Sequence, residues 1–165
     1  MAGKSRSKGQ AGELEVAHLL TEITGFSITR RVRQHDCDSD LMGLPGWAVE
    51  VKRHASAPLA MVAGSWWYQA CEQAQAAKLL PLLLYRADRQ PWRCVWPAGL
   101  HTAPMTLPLS LSFTHALTAD PTIWWALTKH LRLVARGPAR QVSLQGVGAR
   151  ATPNAQNFRE SLLAR

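Results

Sequence analysis

Residues 47–53, WAVEVKR, decide how this chain is read. Trp47, Ala48, Val49 and Val51 are apolar, the composition of a strand buried in a sheet. Glu50 and Lys52 interrupt them. Side chains alternate faces along a strand, so these two point the same way and Val51 points the other. A lone buried ion pair is a poor source of stability, so the arrangement makes physical sense where the end of the strand meets a ligand. Asp40, ten residues upstream of Glu50, opens a short run, Leu41-Met42, that the turn signal GLPG (43–46) ends. If the two runs pair antiparallel around that turn, Asp40 and Glu50 converge. Two carboxylates side by side repel unless a divalent cation neutralises them. Mg²⁺ is the expected ion, being hard and content with carboxylate oxygens and water, with Mn²⁺ as its substitute.

Outward from this stretch, the chain alternates helix and strand signals. GQAGELEVAHLLTEITG (9–25) reads as a helix, with Leu14, Ala17, Leu20 and Ile23 three or four apart and Gly25 as its stop. FSITRRVR (26–33) is rich in β-branched residues and reads as a strand. After the motif strand, a helix is expected over about 65–78, with Ala70, Ala74 and Ala77 as a small-residue face. LPLLLYR (80–86) and WRCVWP (92–97) read as two further strands. The expected fold is α/β, a central mixed β-sheet flanked by helices. Beyond it, MTLPLSLSF (105–113) reads as strand or extended segment, and PTIWWALTKHLRLVA (121–135) as a helix with Pro121 in its first turn. The division expected is a basic flexible arm over 1–8, a core over 9–97, an extension with a helix over 98–136 and a loose basic tail over 137–165.

The 165 residues carry a net charge of +8, and 47% of them are hydrophobic, enough for a real core. A small basic protein is attracted to a polyanion, and nucleic acid is the commonest one. Three cysteines, Cys37, Cys71 and Cys94, make no disulfide framework and suggest a reducing compartment. The basic N-terminus is followed by no apolar stretch, so no secretory signal is expected. The longest apolar run, LLPLLLY, is too short to cross a bilayer. A cytoplasmic location, in a bacterium or a phage-infected host cell, and no membrane partner are the expectations.

With those residues in place, the chain resembles a known superfamily. Asp40 followed by Glu50-Val51-Lys52 resembles the core signature of the PD-(D/E)XK nucleases, with Ser39-Asp40 where the nominal Pro-Asp stands. SDLMGLPGWAVEVKR (39–53) resembles phage- and prophage-type members related to archaeal Holliday junction resolvases. KGQAGELEVAHLL (8–20) is similar to the family's first helix, and its acidic position falls on Glu13. WWYQACEQAQAAKLLPLLLYR (66–86) resembles the following helix and strand, with a glutamine at Gln69. RADRQPWRCVW (86–96) is like the hairpin that ends the core. The resemblance covers roughly residues 8–97 and implies a restriction-endonuclease-like core with a C-terminal extension.

The resemblance also implies roles. Asp40 and Glu50 would hold Mg²⁺, with the Val51 carbonyl as a third protein ligand and Glu13 bound through water. Asp36 and Asp38 stand close enough to replace Asp40, although Asp40 alone precedes apolar residues suited to a strand. Lys52 would position the attacking water or stabilise charge on the phosphorane, and Gln69 would orient Lys52 or touch the DNA backbone. The implied activity is metal-dependent hydrolysis of DNA phosphodiesters, on branched or four-way junction DNA in recombination, by a homodimer. The alternatives are a nuclease of nicking, restriction or repair type and a non-catalytic DNA-binding module of the same fold.

Phosphate contacts are expected from Lys4, Arg6 and Lys8 on the arm, from Arg30, Arg31 and Arg33 before the site, and from Arg53 just after it. Set against these, Glu13 is also an ordinary helix acid, Gln69 competes with Gln73 and Gln75, and the arginines are also a solvated face. His35, Asp36, Cys37 and Asp38 are zinc-ligand types, but no second pair follows at suitable spacing. Trp66, Trp67 and Tyr68 suit a core, a dimer interface or a stack on unpaired bases. Of Trp124 and Trp125, one belongs in the core and the other is available to a partner subunit.

Overall fold

The motif strand is the axis of the sheet. β3, Trp47–His54, is buried over its first five residues, and on either side it has a different kind of neighbour. The structure, a computed structural model, describes residues 2–31, 38–101 and 110–131, with side chains from residue 7 onward. In chain order, α1 (Ala2–Thr24) leads to β1 (Thr29–Arg30), β2 (Leu41–Met42) and β3. A short turn of helix, α2 (Leu59–Met61), runs through a π-helical turn (Val62–Trp66) into α3 (Trp67–Ala77). Then come β4 (Leu80–Ala87), β5 (Arg93–Pro97), β6 (Ala116–Ala119) and α4 (Pro121–Thr128).

The six strands lie side by side in chain order, β1 to β6. β3 and β4 are parallel, in register from Trp47 opposite Leu80 to His54 opposite Ala87, and every other pairing is antiparallel. A parallel pair needs a crossover, and α3 supplies it. The mixed α/β sheet expected from the sequence is thus present. The β2–β3 turn depends on Gly43, whose φ of +98° an L side chain rarely adopts. A Cβ there would lie 2.1 Å from the Ser27 carbonyl oxygen, so the turn also sets how closely β1 approaches.

Each face of the sheet has its own core. Val49, Val51, Leu82, Leu84, Cys94 and Trp96 pack with Val16, Ala17 and Leu20 of α1 and with Trp124 of α4. Leu83 and Val95 pack on the other face with Val62, Trp66, Trp67, Ala70 and Cys71. Glu50 stands beside Leu83 in the parallel register and so faces the α3 side. Burial in these layers pushes the thiols of Cys71 and Cys94 up to about 12.

Several sequence expectations shift here. The first helix starts at Ala2, so the residues expected as a flexible arm are its opening turns. Its buried stripe is Val16, Ala17 and Leu20, while Leu14 is 50% exposed. Among the described residues of the strand expected over 26–33, Thr29 and Arg30 pair in the sheet. The core does not end at residue 97. β6 extends the sheet beyond β5, and α4 packs on the α1 face, where Trp124 meets Trp47 edge-on at 5.3 Å between ring centroids. Trp125 is partly buried, with its ring against Phe26. Asp120 caps α4 by accepting from the Thr122 N–H, and Pro121 takes the first helical position as expected. The segments over 105–109 and 137–165 lie outside the described residues.

If α4 is part of the core, Trp124→Ala will lower the unfolding free energy by about 3–5 kcal/mol. Ile123→Ala, one residue earlier and 51% exposed, will change it by less than about 0.5 kcal/mol. Urea denaturation followed by far-UV circular dichroism measures both. Iodoacetamide at pH 8 should leave Cys71 and Cys94 unmodified in the native protein and label them after unfolding, because the thiolate is the reactive form. Peptide mapping by mass spectrometry reads the result.

Candidate active site

Glu50 is the unusual residue of the interior. It is 0% exposed, in the middle of a strand whose neighbours are aliphatic. Burying a carboxylate in such a place is costly unless charge compensates it. Lys52, on the same face of β3, supplies that charge, with its Nζ 2.6 Å from Glu50 Oε1. The same Nζ donates to Gln69 Oε1 of α3 at 2.9 Å. Gln69 therefore fixes the lysine from the helix above. Gln73 is buried one turn on, and Gln75 is exposed.

Asp40 reaches Glu50 from β2. Leu41 stands opposite Val49, so Asp40 falls across from Glu50. Its backbone N–H donates to the Val49 carbonyl at 2.9 Å. Its Oδ2 accepts from the Val51 N–H at 2.8 Å. The two bonds bracket residue 50, and Asp40 is itself only 1% exposed. Asp38 turns away to pair with Arg31 at 3.2 Å, and Asp36 lies outside the described residues. Asp40, Glu50, Lys52 and Gln69 are thus brought into one cluster.

Glu13 is held elsewhere. Its Oε2 accepts from Arg30 Nε, and Arg30 lies on the α1 side of β1, opposite Leu41. Among the described residues no three His, Cys, Asp or Glu side chains form a metal cage. The donor set at β3 is therefore two carboxylates and the main chain around Val51. That fits a hard cation that keeps most of its waters and suits Mg²⁺ or Mn²⁺. It does not fit a structural zinc site, which closes with four protein ligands.

The described cations expected to meet phosphate are all ion-paired. Lys8 pairs with Asp88, Arg30 with Glu13, Arg31 with Asp38, and Arg53 with Glu15 at 3.5 Å. The sequence reading missed Arg86, which shares Glu15 at 2.8 Å and lies over the Trp92 ring at 4.8 Å. In the parallel register it stands directly across from Arg53, a placement that only the fold supplies. The side chains of Lys4, Arg6 and Arg33 lie outside the described residues. His54 ends β3 with its ring on Trp66, at 4.8 Å between centroids. Burial, then the positive charges of Lys52 and Lys8, hold its pKa below the ordinary imidazole value. Trp66 and Trp67 are core residues, whereas Tyr68 is 65% exposed. No helix among the described residues is long and apolar enough to cross a membrane.

Asp40, Glu50 and Lys52 stand together on a mixed sheet, and a family match sets the class, that of PD-(D/E)XK endonucleases. Residues 4–103 match the family described as "Phage putative PDDEXK endonuclease", and the chain belongs to that family. The solved structures include a similar chain from Archaeoglobus fulgidus, Hjc, a Holliday junction resolvase from an archaeal hyperthermophile. It is 18% identical over 71% of this chain and 87% of that one, with a TM-score of 0.42. No curated protein matches.

The Asp40 clip separates shape from charge. Asp40→Asn keeps an oxygen for the Val51 N–H and should stay within about 1 kcal/mol of the parent, whereas Asp40→Ala strands a buried donor and should lose about 1–3 kcal/mol. Chemical denaturation at pH 7 compares the two.

Proposed function

We propose that this protein is a divalent-cation-dependent endodeoxyribonuclease that cuts branched DNA. The observation that carries the proposal is the buried Glu50, flanked by Asp40 across the hairpin and by a Lys52 that Gln69 holds in place. A buried pair of this kind adds little stability over an apolar replacement. It becomes intelligible as a preorganised electrostatic site.

In this reading Asp40, Glu50 and the Val51 carbonyl would hold Mg²⁺ or Mn²⁺. The ion, when bound, polarises the scissile phosphate and acidifies a water. The residues of the chain do the rest. Lys52 turns its ammonium toward the attacking water and the developing phosphorane charge. Gln69 keeps it there once Glu50 is engaged elsewhere. Glu13, paired with Arg30 in the free protein, would reach the ion only through water and only once Arg30 had left it for a phosphate. Arg31 and Arg53 exchange their exposed acids for the DNA backbone, and Lys4, Arg6, Lys8 and Arg33 add to the positive track. Surface pairs contribute about 0–1 kcal/mol each, so the exchange is cheap.

Junction preference rests on the resemblance of residues 39–53 to junction-resolving relatives. It brings with it a homodimer, because two symmetric cuts need two sites related by a two-fold axis. The purified protein is to be incubated with labelled four-way junction, linear duplex and single strand, each with Mg²⁺ and with chelator. Paired nicks in the junction alone, lost in chelator, are expected. Equal cutting of every duplex would replace junction specificity with a nicking, restriction or repair role. Tight binding with no cutting under any condition would leave a DNA-binding module. Glu50→Ala and Lys52→Ala should each reduce the single-turnover cleavage rate by at least about a hundredfold.

A further inference from the structure

At the end of β3 and β4, on the α1 side, lies an open basin of about 640 Å³ lined by Ser7, Lys8, Ala11, Arg53, Asp88 and Arg89. Three of these residues are cations and one is an acid. Arg86 stands beside the basin, across from Arg53 in the parallel register. Arg53 is fixed at its base: a Cβ on Gly12 would lie 3.1 Å from Arg53 Cβ and 3.4 Å from its Cδ, so α1 passes directly over the arginine. The acids present are already in use. Asp88 takes Lys8, and Glu15 takes both Arg53 and Arg86. Arg89 sits in the turn between β4 and β5, where a φ of +63° helps to reverse the chain and holds its side chain at the rim of the basin.

We propose that this basin docks a backbone phosphate of the DNA strand beside the cleaved bond, with Asp88 occupying the phosphate's place on Lys8 in the free protein. The inference rests on the nuclease reading above and adds a second anchoring point to it. Arg53 is the residue after Lys52, about 3.3 Å further along the strand and on its other face. A strand laid across the end of β3 thus meets the reacting site on one side and the basin on the other. The basin gathers Lys8, Arg53 and Arg89, with Arg86 beside it; Arg86 and Arg89 lie on or just after β4, far in sequence from the motif. A phosphate between Lys8 and Arg89 leaves Asp88 to solvent, and Asp88 is already exposed.

The test uses the full chain and a fluorescein-labelled duplex in chelator, with binding read by anisotropy across a salt series. Lys8→Ala and Arg89→Ala should each weaken the Kd about fivefold and lower the salt slope by about 1. Asp88→Asn should tighten binding several-fold, because it frees Lys8. Lys78→Asn, at the opposite end of β4, should change the Kd less than twofold. Arg89→Gly should raise the thermal midpoint while weakening binding, which separates lost contact from lost fold. A Kd and slope unmoved by Lys8→Ala and Arg89→Ala, or an Asp88→Asn protein that binds no tighter, overturns the inference. Cleavage in Mg²⁺ separates it from the nuclease reading. Wild-type protein that cuts while those variants bind normally removes the basin alone. Wild-type protein that binds through the basin but never cuts removes the nuclease reading alone.

Discussion

The hydrogen bond from the Val51 N–H to Asp40 Oδ2 joins β2, one strand in from the edge, to the centre of the sheet. β2 has only two residues, and its single ladder partner on β3 is Leu41 opposite Val49. A ladder that short does not fix register by itself, and a one-residue slip would turn every side chain to the opposite face. The Asp40 side chain takes the place of a further backbone pair. Gly43 closes the hairpin at a φ that other residues adopt at a cost. The same contact that holds β2 in place therefore holds one candidate ligand carboxylate across from the other. Site geometry and fold are not separable here, because the acid is also the clip.

Charge is organised by the same economy. The chain has a net charge of +8, yet Lys8, Arg30, Arg31, Lys52, Arg53 and Arg86 are each paired with an acid. The pairs differ in depth. Glu50 is fully buried, so its bond to Lys52 is strengthened by poor screening and is expensive to leave unmade. Asp38, Glu15 and Asp88 are partly or largely exposed, so their pairs are weak, and salt screens them. A polyanion arriving at this surface would displace the outer pairs readily and the inner one only if something replaces its charge. Deep fixation and shallow exchange suit a protein that holds its reactive groups ready but releases its surface cations to a phosphate backbone.

How much of this was legible in the sequence depended on whether the signal was local. β3 announced itself because an acid and a base at i and i+2 are anomalous in an apolar strand. Asp40 followed, because a Gly-Pro turn implies a hairpin. β6 was not legible. His115 to Ala119 has neither alternation nor a β-branched run, and the strand exists because the β5 edge offers it partners. Nor was the place of α4. Two adjacent tryptophans say that one is inside, but only the fold puts Trp124 against Trp47, and Trp125 against Phe26. Glu13 was legible as a residue and not as a contact, because its Arg30 partner sits on a strand of two residues that propensity cannot bound.

The choice among Gln69, Gln73 and Gln75 shows why such ambiguity is physical. All three lie within two turns of α3, and composition does not rank them. The decision is made by the π-helical turn at Val62–Trp66 just before the helix. A π-turn admits one extra residue and rotates everything that follows by about 100° relative to an uninterrupted helix. In this phase Trp66, Trp67, Ala70 and Ala74 all reach the sheet, Tyr68 faces out, and Gln69 is left at the border between core and solvent. That border is where the Lys52 ammonium emerges from the strand. Without the extra residue, Trp67, Gln69, Ala70 and Ala74 would all turn together by about 100° relative to Val62, away from the sheet and from Lys52. π-turns recur at functional sites, and this one sets the phase in which a single helix serves both the core and the Lys52 ammonium.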